Sequence, residues 1–145
     1  MNPTLRNVLA LFAGLVLGNV VNMALIMIGV LVVPLPEGVN VMDPESLKEA
    51  LPTLPPASFI FPWLAHAGGT LAGACLTAAL AVGPRRLLAM VIGGLFLLFG
   101  IANLMMLAHP VWFAAVDLIG AYLPMGWLGG YLVTGGGSPA EEPAS

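Results

Sequence analysis

Four apolar runs, Val8–Val33, Phe59–Val82, Leu87–Ala108 and Val111–Val133, dominate this chain. Each approaches or exceeds the roughly 20 residues a helix needs to cross hydrocarbon. Lipid offers no water to bond N–H and C=O groups, so a lone spanning segment satisfies them within itself, as a helix. Short segments of alternating polarity, the mark of a β-barrel, are absent. The expected fold is an all-α membrane protein, an antiparallel bundle of four transmembrane helices. It forms one domain over residues 1–134, followed by a disordered cytoplasmic tail over 135–145, rich in Gly, Pro, Ala and Glu.

Composition agrees. Only 8% of the 145 residues are charged and the mean hydropathy is +1.01, against about 25% charged in a soluble domain. With a net charge of −3 and four basic residues there is no basic stripe, so nucleic acid is not an expected partner. The single cysteine, Cys75, lies in an Ala/Gly run and reads as a buried, inert residue. The first apolar run is longer than a signal-peptide core and is read as a retained span.

Sidedness follows from the arginines. Arg6 precedes the first run, and Arg85-Arg86 sits in the Gly83-Pro84-Arg85-Arg86 turn between the second and third. Cytoplasmic loops carry Lys and Arg, so both termini are expected inside and the 34–58 connection outside. A bacterial inner membrane is the expected location. Phe59, Phe61, Trp63, Trp112, Phe113, Trp127 and Tyr131 fall at span ends, where aromatic belts form. In the outer loop, Asp43-Pro44-Glu45-Ser46 has an N-cap followed by proline at the first helical position. Leu47, Leu51 and Leu54 then recur at helical spacing, predicting a short amphipathic helix on the outer membrane surface.

Helices in lipid associate through close packing and polar contacts. Candidate packing residues are Gly14 and Gly18, Gly69 and Gly73, Gly93 and Gly100, and Gly126 and Gly130, against helices of the same chain or of another copy. Pro124 should kink the fourth helix and free a carbonyl near Gly120.

The polar residues within the spans carry the functional signal. Asp117 is the one acidic residue in an apolar run, and a mid-bilayer Asp costs about 2.5–3.5 kcal/mol. It should lie about 9 Å below the outer surface, at about 1.5 Å per residue, facing the bundle interior. Once topology is applied His66, Asn103, Asn22 and Asn19 also fall in the outer half. His66 and Thr70 share a helix face, and His109 sits at the rim. These residues form a candidate polar pocket open to the outside. A His–carboxylate pair there can hold a proton, an ion or a polar headgroup, or serve only to bond helices together.

Hydrolase, nucleotide-binding and metal-site spacings are absent, so no cofactor, metal or catalytic residue is assigned. The first functional expectation is a non-catalytic accessory or structural subunit of a membrane complex or homo-oligomer, partnered by the bilayer and by other subunits or copies of itself. The second is a transporter or binder of a proton, ion or small polar solute. The third is a membrane enzyme acting on lipid or quinone.

Overall fold

In the computed structural model, which describes residues 1–135, every regular element is a helix. Helix α1 spans Pro3–Val32, α2 Pro44–Ala50, α3 Ile60–Leu80, α4 Arg85–Met106, α5 Val111–Gly120 and α6 Leu123–Thr134, with 3-10 turns at Leu51–Thr53 and Pro56–Phe59. Four segments are long and apolar enough to cross a membrane: Pro3–Val32, Pro56–Leu80, Arg85–Met106 and Val111–Thr134. The chain is thus built as a multi-pass membrane protein. Residues 136–145, most of the expected disordered tail, lie outside the described residues.

Small residues let the helices touch backbone to backbone. A methyl on Gly69 would lie 2.6 Å from the Gly18 carbonyl oxygen, and one on Gly73 2.6 Å from that of Gly14. Numbering rises along α1 as it falls along α3. Gly93 faces Gly126, and Gly130 faces Ala89, in the same reversed order for α4 and α6. Gly100 lies under the Tyr122 ring. All eight glycines singled out in the sequence meet neighbours within this chain. Gly129, not among them, packs as closely against Ala74 and Cys75.

The fourth span differs from expectation. It does not kink at Pro124; it breaks into two helices at Ala121–Tyr122. Proline lacks an N–H, and its ring collides with the carbonyl four residues back. Here that carbonyl belongs to Gly120, where α5 ends. Pro124 then occupies the first turn of α6, where no N–H is needed.

One end of the bundle gathers arginines. Arg6 Nε donates to the Leu80 carbonyl at 2.7 Å and Arg85 Nε to that of Ala78 at 2.5 Å. Both thereby satisfy last-turn carbonyls that α3 leaves open, and their charge suits the negative end of its dipole. Arg86 Nε donates to Thr134 Oγ1 at 2.7 Å. At the same end Asn7 exchanges two hydrogen bonds with the backbone of Val82. At the opposite end Asp43 caps α2 through the Glu45 N–H. There Leu47, Leu51 and Leu54 pack with Phe59 and Phe113. Leu51 is buried in that cluster, while Leu47 and Leu54 are only partly covered by it.

Candidate functional site

The break in the fourth span builds the site. Asp117 lies in the last turn of α5 and Tyr122 at the break itself, each 1% exposed. His66, on α3, reaches both. Its Nδ1 is 2.8 Å from Asp117 Oδ1 and 3.0 Å from Oδ2. The Tyr122 hydroxyl donates to Asp117 Oδ2 at 2.7 Å and lies 3.0 Å from the same Nδ1. The His66 and Tyr122 rings stack at 5.8 Å.

This geometry selects a tautomer. The phenol proton goes to the carboxylate, so every group around Nδ1 is an oxygen acceptor. Nδ1 must then carry hydrogen, since two facing lone pairs would repel. That leaves Nε2 as the ring's free position. It makes no hydrogen bond and is not closed off from solvent-sized space. Thr70 Oγ1 donates to the His66 carbonyl at 2.7 Å, tying down the backbone that carries the ring.

Two cavities meet at His66. The larger, about 260 Å³, is walled mainly by apolar side chains of α1, of the 33–59 connection and of the start of α3, with Asn22, Ser58, Asn103 and His109 as polar accents. The smaller, about 100 Å³, lies among Asn19, Asn22, His66, Phe96, Asn103 and Tyr122. Asn22, His66 and Asn103 line both. Neither asparagine makes a side-chain hydrogen bond, and Asn22 Oδ1 is buried without a partner. A buried orphan of this kind costs about 1–3 kcal/mol.

The other candidates are placed less centrally. Asn19 is exposed and donates to its own helix at Leu15 while edging the smaller cavity. Thr70 is fully buried behind His66 and lines neither cavity. His109 stacks on Phe113 and bonds the Leu107 carbonyl at 3.2 Å. Burial lowers its pKa below the usual histidine value, against the smaller opposing pull of the Leu107 bond; His66 lowers it further and Asp117 raises it. Among the described residues no three His, Cys, Asp or Glu side chains gather closely enough to hold a metal ion.

Tyr122 is the residue that sequence reasoning missed. Five positions after Asp117, it falls off that residue's face in a continuous helix. The available signal was a tyrosine inside a span, whose hydroxyl needs a partner, two residues before a helix-breaking proline.

Fold and site together define a multi-pass helical membrane protein with a buried His–Asp–Tyr cluster beside a largely apolar cavity. Comparison with family models, with curated proteins and with solved structures finds no match.

Proposed function

We propose that this protein is a membrane-embedded binding protein that takes up a proton or a small solute at His66. In this reading the spans form an antiparallel bundle in a cell membrane. The arginine end faces the cytoplasm, and the α2 end, with its helix over the larger cavity, faces outward.

One observation carries the reading: an imidazole held through Nδ1 by a buried carboxylate and a buried phenol, with Nε2 unbonded on a residue that lines two cavities. A histidine so held has a fixed ring, a fixed tautomer and a free base nitrogen. Helix bonding alone calls for one or two polar contacts. It gives no reason for unpartnered amides on Asn22 and Asn103 beside the open nitrogen.

The glycine faces that suited an accessory subunit pack within this chain; small size and the short outer helix remain compatible with that role.

The test is Asp117→Asn in the full chain. In the parent, imidazole ¹⁵N spectra should show His66 protonated at Nδ1 with a low-field proton. The variant should lose that signal, and pH-gradient-driven uptake into proteoliposomes should fall by about tenfold or more, the usual scale for removing a proton-transfer group. A parent protonated at Nε2 instead, or a variant with an unchanged spectrum and flux, would sink the proposal.

A further inference from the structure

The two cavities differ in chemistry yet share three residues, so one ligand can occupy both only if it has an apolar body and a small polar head. The larger space exceeds the ~150 Å³ that accommodates benzene in an engineered apolar cavity. It therefore has room for a body larger than a single ring.

The head must be uncharged. No Asp, Glu, Lys or Arg lines either cavity. Asp117 stands behind His66 with both oxygens engaged. A charged head entering here would lose its hydration with no counter-charge in contact, which is strongly unfavourable.

The head must also donate. With hydrogen on Nδ1, His66 Nε2 presents a lone pair. Asn22 and Asn103 offer amide groups with both donor and acceptor atoms unpaired. Asn22 Oδ1 is buried without a partner, and χ2 of an amide is a soft torsion. A ketone or ester accepts from the amides but leaves Nε2 unmet. A hydroxyl donates to Nε2 while its oxygen accepts an amide N–H.

Resting on the His66 reading above, we propose that the joined cavities bind a neutral amphiphile with a hydroxyl head. Its O–H meets His66 Nε2, its oxygen meets the Asn22 or Asn103 amide, and its apolar body lies among Met23, Leu47 and Phe61. The hydroxyl belongs either to a chain alcohol of lipid type or to a ring phenol.

The experiment uses the full chain in lipid nanodiscs with ¹⁵N-labelled histidine. The probes are 1-decanol, 1-naphthol, decanoate, decyltrimethylammonium and decane. Both hydroxyl probes should shift the His66 Nε2 resonance saturably and compete with each other, while the charged and headless probes should not. Tighter binding of 1-decanol assigns the lipid-type source, and of 1-naphthol the phenolic one; either supports the proposal. Of Asn22→Leu and Asn103→Leu, the one that removes the amide holding the oxygen should weaken binding by about threefold to tenfold, the worth of one hydrogen bond; no loss in either variant overturns the assignment. Equal shifts from all five probes, or none from the hydroxyl probes, overturn it. An intact Nδ1–H signal alongside such a failure removes this inference alone; loss of that signal in the parent removes the His66 reading beneath it.

Discussion

At the scale of single residues, the cluster is a problem in keeping a carboxylate out of lipid. Asp117 is buried to 1% exposure, and its two oxygens are met by an imidazole N–H and a phenol O–H. Tyr122→Phe leaves the ring in place over Gly100 and deletes only the hydroxyl. The carboxylate then loses its shortest hydrogen bond. Hydrogen bonds to charged groups are worth about 1.5–3 kcal/mol in soluble proteins, while bonds between membrane helices average nearer 0.6. The expected loss for this buried, charge-assisted case is about 1–2 kcal/mol, read from denaturant unfolding in micelles. A variant as stable as the parent would mean that Asp117 does not rely on Tyr122. Asp117 and His66 stood out in the sequence because ionisable groups in apolar runs are costly. Tyr122 did not, because its place depends on a break in the backbone rather than on helical phase.

Among the helices, close approach is the main source of cohesion, since lipid solvates apolar side chains as well as protein does. Gly69 and Gly94 make a matched pair of probes. A Cβ at Gly69 meets the Gly18 carbonyl at 2.6 Å and the Asn22 Cβ at 3.0 Å, so α1 and α3 must separate. A Cβ at Gly94 meets nothing within 4 Å. Gly69→Ala should destabilise by about 1–3 kcal/mol, the usual range for overpacking. Gly94→Ala should be neutral or stabilise by up to about 1 kcal/mol, since alanine is the better helix former. Similar effects at both sites, measured by unfolding in micelles, would contradict the packing described. The four spans were legible in advance because length and hydropathy mark a helix in lipid almost unaided. The GxxxG pairs were legible as packing residues, but not which helix each would face. Leu47, Leu51 and Leu54 show the limit: their spacing predicted an apolar face, and an apolar face fits a membrane surface or a protein cluster equally well. Their packing against Phe59 and Phe113 depends on tertiary placement, which the spacing does not carry.

Across the whole molecule, charge is segregated along the bundle, and this bears on orientation. Arg6, Arg85 and Arg86 lie at the end where α3 finishes, held by hydrogen bonds to Leu80, Ala78 and Thr134. Glu37, Asp43, Glu45 and Glu49 lie in the connection before α3 begins, with Lys48 the one basic residue there. Basic residues beside spans are retained in the cytoplasm, whereas acidic ones contribute little to orientation. The arginines also close the exposed carbonyls of α3, so the bonds that finish the helix hold the charge at that end. Orientation is testable with single cysteines placed in a Cys75→Ala background, at Glu45 in α2 and at Pro84 in the α3–α4 turn. In intact cells, a membrane-impermeant maleimide should label position 45 and leave position 84 untouched until the membrane is permeabilised. The reverse pattern would put the arginine end outside and turn the two cavities toward the cytoplasm. The His66 chemistry would survive that result, since it depends on Asp117 and Tyr122 alone, but the direction from which a ligand or proton reaches it would be inverted.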